Sequence, residues 1–371
     1  PDGRKTFRKR KARQMPYTYQ SADKAFKNDN IRELGLDAQG MRFLKLRSLS
    51  RKEHLTRLIA DHALAIPAGK PTVRLKAVFE SGVSDAQIDL TIRSIAANER
   101  QQRAAVEPAL ITELYKLLMF DWGGLHQNSL EKTIVDNYVK KIRSFDELQA
   151  RVDDELFHSM KSYVLCSWYN HWTSIIIEDV FRDHASVLPA VGLIKKVDFF
   201  VEGVPYDLKV TYLPEGYIKD ARKAAGEKEE VNLLKKFCKQ HTIHFNKTLP
   251  AARLLEDLWR KVADLPGEDA KALIRGLKAR RLAILDNAVL NPTELITWLY
   301  ENQGVRRFDA SNRLFLVLID CGNFFESWKL KRAKPLLIDK IHGHLNAANH
   351  AGHDLTFQWE GATYQATSDV V

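Results

Sequence analysis

Apolar residues recur at three-and-four spacing along most of the chain, and only a few stretches show the alternation or short continuous runs of strands. From Ser50 to about Trp122 the pattern is helical, and Ser50 and Glu53 have the spacing of a capping box ahead of Leu55, Leu58 and Ile59. Residues 72–81 run to Gly82, which suits a left-handed C-terminal position, and Ser84 with Gln87 caps a following helix through Ile88, Ile92 and Ile95. Phe120-Asp121-Trp122-Gly123-Gly124 reads as a break. Helical spacing resumes over 130–142 and again from 145, where Ser144 and Glu147 form another box. From Leu156 to Phe181 a long helix is expected, with Tyr163, Trp168, Tyr169 and Trp172 on a wide apolar stripe that reads as core. Residues 221–304 are helical and strongly charged, including Asn291-Pro292-Thr293-Glu294, where cap, first-turn Pro and third-position Glu agree.

Strand patterns interrupt this text at three places. Val197 to Lys209 reads as two short strands folded over Glu202-Gly203. Arg313 to Asp320 is apolar on both faces, as a central strand must be, and a helix from near Pro335 carries Leu336, Leu337, Ile338, Ile341 and Leu345. Leu355–Trp359 and Ala362–Thr367, joined by Glu360-Gly361, form a closing hairpin. The fold class is therefore mixed α/β, with an N-terminal helical region and a helical insertion over 221–304.

The first hairpin concentrates the chemistry. If Glu202-Gly203 is the turn, Val201 pairs with Val204, and the same register sets Asp198 across from Asp207 with carbons about 5 Å apart. Facing carboxylates at that range repel, so a fold that keeps them supplies a shared cation or a shared proton. Alternation puts Lys209 on the face of Asp207, while Phe199, Val201, Tyr206, Leu208 and Val210 take the other face. Two hard ligands with an ammonium beside them suit Mg²⁺ and a group that orients or deprotonates water.

Val197-Asp198 followed by Asp207-Leu208-Lys209 resembles the signature of the PD-(D/E)xK nuclease superfamily, with Val where Pro is usual. The resemblance covers roughly residues 156–371. It implies the α-β-β-β-α-β core of restriction-endonuclease-like proteins, a central mixed sheet flanked by helices, and the activity of a type II restriction endonuclease on double-stranded DNA. It further implies that Asp198 and Asp207 hold Mg²⁺, with Mn²⁺ able to substitute, and that Glu178 of the preceding helix completes the cation shell. Lys209 then orients the water or stabilises the charged phosphorane, and double-strand cleavage implies a homodimer. The domain division expected is a basic arm over 1–20, a helical region with possible DNA recognition over 21–122, and a nuclease domain over 123–371. A DNA-binding regulator with inert carboxylates, and a nuclease of branched or modified DNA, are the competing readings.

Charge fits a polyanionic partner: 371 residues carry a formal net charge of +10, with an isoelectric point near 9.3. Arg4, Lys5, Arg8, Lys9, Arg10, Lys11 and Arg13 stand against one Asp2 in the first fourteen residues, a composition that reads as a flexible, phosphate-binding arm. The helices flanking Gly82 resemble a helix-turn-helix reader whose second helix presents Arg93, although the spacing from Ala77 to Gly82 is one residue longer than that motif usually has. Lys329, Lys331, Arg332 and Lys334 surround Trp328 as a further phosphate-contact candidate. Cys166, Cys238 and Cys321 lack paired spacing, which fits a reducing cytoplasm, and no apolar run suits a bilayer or a signal segment. His241 and His244 lack a third zinc ligand nearby, and His171, seven residues before Glu178, reads as structural. The chain opens at Pro1 without Met, so an upstream piece is expected.

The arm yields a direct prediction. Deleting residues 1–14 should make the dependence of duplex-DNA affinity on salt shallower, by about 0.9 in log–log slope for each phosphate that the arm neutralises. An unchanged slope in a binding titration across KCl concentrations makes the arm a bystander.

Overall fold

The computed structural model describes residues 15–120, 132, 134–192, 194, 196–302, 312–347, 352–359 and 362–371. Arg8, Lys9, Arg10 and Lys11 of the expected arm, and most of the expected break at 120–124, lie outside the described residues. The N-terminal region holds α1 (Tyr19–Lys27), α2 (Ile31–Gly35), α3 (Ala38–Ser48), α4 (Lys52–Asp61), α5 (Pro71–Phe79) and α6 (Asp85–Leu114). Ser84 and Gln87 form the expected capping box on α6. Two details differ from expectation. The cap of α4 is Arg51, with no side-chain hydrogen bond, so Ser50 and Glu53 do not box it. Gly82 has no positive φ, so α5 ends without the left-handed cap.

Ser144 caps α7 (Phe145–Arg151), and a π-helical turn at Val152–Leu156 leads into α8 (Phe157–Arg182). Strands β1 (Val187–Pro189), β2 (Phe199–Val201) and β3 (Val204–Tyr212) follow as an antiparallel meander. The insertion then contributes α9 (Glu215–Ala224), α10 (Glu230–Gln240), α11 (Ala251–Ala263), α12 (Glu268–Leu290) and α13 (Pro292–Asn302). The chain closes through β4 (Asn312–Leu318), a 3₁₀ segment (Phe324–Arg332), α14 (Lys334–Asn346), β5 (His353–Trp359) and β6 (Ala362–Val370).

The six strands form one sheet in the order β1-β2-β3-β4-β6-β5. β3 and β6 both run parallel to β4, which sits between them as its two-sided apolar sequence requires. Leu314, Leu316 and Leu318 of β4 face α8 and α14, joining Phe199, Val201, Tyr206 and Leu208 in one core. Phe315 points the other way into a core with α9, α12 and α13. The N-terminal helices share a third core with Leu188 and Phe200 on the β1–β2 side. They are therefore packed directly on the sheet.

The insertion is tied together by Arg281 of α12, which is 1% exposed. Its guanidinium donates to Glu230 at 2.5 and 3.1 Å and to Glu215 at 2.7 and 2.9 Å, with Trp259, Phe324 and Phe325 rings around it. Truncating one member of a buried ionic group leaves the others uncompensated. Arg281→Met should lose about 3–5 kcal/mol of stability; a loss below about 1 kcal/mol in chemical denaturation would show that the triad is dispensable.

Candidate active site

The hairpin folds as its turn chemistry dictates. Glu202 (φ 47°) and Gly203 (φ 82°) are both left-handed, the combination that matches the right-handed twist of two-residue hairpins, and Val201 pairs with Val204. Phe199, Val201, Tyr206 and Leu208 turn inward as expected, with Val210 packed beside them. Phe199 stacks on Phe181 of α8 at 5.1 Å between ring centroids.

Asp198 departs from the expected register. β2 begins at Phe199, which pairs with Tyr206, and the Asp198 amide also donates to the Tyr206 carbonyl, at 2.8 Å. Two residues thus oppose one, as in a β-bulge, and Asp198 does not lie directly across from Asp207. Its side chain takes a place the main chain would otherwise fill, with Oδ2 accepting the Leu208 amide at 2.8 Å. The approach to this position is fixed by left-handed Lys196 (φ 64°), whose ammonium meets Asp29 at 2.9 Å.

Asp207 and Lys209 alternate with the inward residues of β3, as expected. On this face β2 contributes Phe200 to the N-terminal core and β4 contributes Phe315 to the insertion core, so the pair lies between the two. Lys209 Nζ reaches Asp207 Oδ1 at 2.5 Å. Arg313, the in-register neighbour of Asp207 on β4, is buried with its guanidinium over the Tyr300 ring. Sequence reading missed Arg313 because a basic first residue looks like the solvated start of a strand.

Glu178 on α8 is paired with Arg182 at 2.8 Å. Burial raises its pKa, Arg182 opposes the shift, and the Asp198 charge adds to it. Burial also raises the Asp198 pKa, followed by repulsion from Asp207, while the Leu208 amide, Lys209 and Arg182 pull it down. Asp198 is therefore the member common to both neighbourhoods, with Glu178 on one side and Asp207 on the other. Among the described residues no group of three His, Cys, Asp or Glu side chains is arranged to hold a metal ion, so the three carboxylates do not form the ready-made shell that the resemblance implies. The donor types still suit a hard cation: Asp198 has no ion pair of its own among the described residues, and its half-buried carboxylate feels the negative charge of Asp207.

The expected DNA contacts fare differently. Arg93 donates to the carbonyls of Val187 at 3.0 Å and Ala185 at 3.2 Å, tying α6 to β1. α6 runs 30 residues and buries Ile88, Ile92 and Ile95; through Arg93, whose side chain stays exposed, it braces the sheet edge. Arg332 is buried and donates to the Leu114 and Leu117 carbonyls, satisfying the C-terminal end of α6. Lys331 is also buried, donates to Asn170 at 2.8 Å, and has its pKa pushed down to about 8 by desolvation. Lys329 pairs with Glu326, and Lys334 pairs with Glu107. The four basic residues therefore do not form the outward-facing cluster expected of them, because burial of Trp328 draws Lys331 and Arg332 inside with it.

The chain matches no family model, no curated protein and no solved structure.

A carboxyl whose folded pKa lies above its unfolded value binds its proton more tightly in the native state, so stability falls as pH rises from the ordinary aspartate range through the raised pKa. Asp198→Asn removes that loss and keeps an oxygen for the Leu208 amide. The metal-free variant should therefore melt higher than the parent at neutral pH, with the gain vanishing as pH approaches 3.8, the ordinary value. A variant that melts lower at neutral pH would mean that the Asp198 charge is satisfied in the native state.

Proposed function

We propose that the chain is a divalent-cation-dependent endonuclease of double-stranded DNA, with Asp198, Asp207 and Lys209 at its centre. The observation that carries this reading is a half-buried carboxylate, Asp198, that makes no ion pair among the described residues and whose pKa is raised by burial and by the Asp207 charge, while Lys209 pairs with Asp207. A fold keeps such repulsion when a ligand relieves it. The element order is compatible with this reading: with β1, the helical insertion and β5 set aside, α8, β2, β3, β4, α14 and β6 come in the α-β-β-β-α-β order of the family the motif resembles. The basic composition suits a polyanionic substrate.

In this reading Asp198 and Asp207 hold Mg²⁺, and Glu178 joins through water, consistent with its separation into the Arg182 neighbourhood. The bound cation supplies a water that is nucleophilic at neutral pH. Lys209 leaves Asp207, orients that water with its ammonium and neutralises charge developing on the phosphate. Breaking both strands requires two such centres, hence a homodimer. The competing regulator reading relies on the basic arm and the helices over 72–98, where Arg93 bonds the Val187 and Ala185 carbonyls.

Cleavage of duplex DNA should occur in Mg²⁺ or Mn²⁺ and stop in Ca²⁺, whose longer bonds and higher ligand number suit activation of water poorly. Asp207→Asn should lower the cleavage rate by several orders of magnitude while DNA binding persists in Ca²⁺. Parallel digestion of plain, methylated and branched duplexes, each with a chelator control, decides the substrate. Full cleavage in chelator, or a fully active Asp207→Asn enzyme, would sink the proposal.

A further inference from the structure

On the face of the sheet that carries Asp207 and Lys209, the neighbouring strand adds a third charged residue. Arg313 pairs in register with Asp207 across the parallel β3–β4 ladder, so the two side chains leave the sheet on the same side. Phe315, two residues on, shares that face and meets the Tyr300 ring edge-on at 5.6 Å. Side-chain exposure falls along this row from 44% at Lys209 to 13% at Asp207, and Arg313 is 5% exposed. The row therefore runs from solvent into the fold.

Arg313 is held firmly by its main chain and by the ring beneath it. Its amide donates to the Tyr300 hydroxyl at 3.0 Å, its carbonyl accepts from Ser368 Oγ at 2.6 Å, and its guanidinium lies over the Tyr300 ring at 5.0 Å. Its charge, by contrast, is unanswered. Among the described residues the buried arginines are Arg42, Arg222, Arg281, Arg313 and Arg332. Four of them donate to carboxylates or main-chain carbonyls. The Arg313 guanidinium donates to no described residue, makes no ion pair with one, and has its Nε buried without an acceptor. Asp207, its partner by register, is taken by Lys209 at 2.5 Å. A buried charge without a partner is expensive, and a planar guanidinium fork matches the oxygens of a phosphate.

We propose that Arg313 is a phosphate-binding residue of the candidate centre, its guanidinium meeting an oxygen of the DNA backbone beside Asp207 and Lys209. That the phosphate belongs to DNA rests on the nuclease reading; that an oxyanion belongs at Arg313 rests on the unanswered guanidinium. No metal ion enters this contact. Arg313 therefore grips the strand with or without a divalent cation, and it places the phosphate on the face from which Lys209 acts.

The test uses the full chain in EDTA, so that binding is read without a cation. One probe is inorganic phosphate, read as the shift in melting temperature against KCl of equal ionic strength; the other is a duplex oligonucleotide, read as affinity across KCl concentrations. The parent should melt higher in phosphate, and Arg313→Gln should lose that gain. With the duplex, Arg313→Gln should show a log–log salt slope shallower than the parent by about 0.9, the value for one phosphate contact. Arg313→Lys keeps the charge without the fork, so it should keep the slope but bind several-fold more weakly. A parent with no phosphate gain, or an Arg313→Gln protein that keeps the gain, overturns the proposal. So does an unchanged duplex slope, which together with a lost gain would give Arg313 a free phosphate as its ligand. If Arg313→Gln fails to fold, Arg313→Lys decides: affinity and phosphate gain equal to the parent's overturn the proposal. Cleavage by the parent in Mg²⁺ is measured alongside; its absence defeats the nuclease reading, whereas the phosphate gain reports on Arg313 independently.

Discussion

The site hangs on one hydrogen bond, from the Leu208 amide to the Asp198 carboxylate. β2 and β3 part at Phe199, and a strand that stops pairing leaves an inward amide without a partner. Asp198 supplies that partner with its side chain, which fixes the carboxylate at the edge of the ladder. The same bond stabilises the ionised form that burial and Asp207 oppose. A main-chain partner at this position would have closed the ladder and sent the carboxylate elsewhere. The bulge also relaxes the strict alternation of side chains, which lets Asp198 sense Glu178 of α8 as well as Asp207 of β3.

Several arginines are spent on holding the fold. Arg281 joins three helices of the insertion, Arg332 closes the end of α6, Arg93 ties α6 to β1, and Arg103 anchors α8. Each bonds carboxylates or carbonyls at short range, and a guanidinium so committed offers little to a phosphate without breaking what it holds. Net charge is a sum over residues and does not record which cations face outward. Only the placement of each partner reveals that.

This is also the boundary of what was legible. Elements with strong periodicity or turn chemistry were readable: the Glu202-Gly203 hairpin and its inward residues, the long helix ending at Arg182, the helical insertion, central β4 and the closing hairpin all appear. β1 was not, because three residues, Val187 to Pro189, carry no period. The register at Asp198 was lost for a physical reason, since a bulge changes pairing by one residue without changing the alternation visible in the text. Lys331 and Arg332 misled because local sequence shows a basic run, whereas their burial comes from Asn170 and Leu114, far away in the chain.

The last two turns of α8 explain why these parts form one arrangement. Asp179 and Asp183 lie four residues apart and face Arg100 and Arg103 of α6. Glu178 and Arg182 share the same spacing one residue earlier and pair with each other beside Asp198. One helical segment thus presents two adjacent ionic rows, one anchored to the N-terminal helices and one bordering the hairpin. Because the anchored row is buried and doubly bonded at Asp179, it limits how far α8 can rotate or slide, and so limits where Glu178 can be. The N-terminal helices therefore bear on the site through position. A change in their packing reaches the carboxylates by way of α8, without any of those helices having to touch a reacting atom.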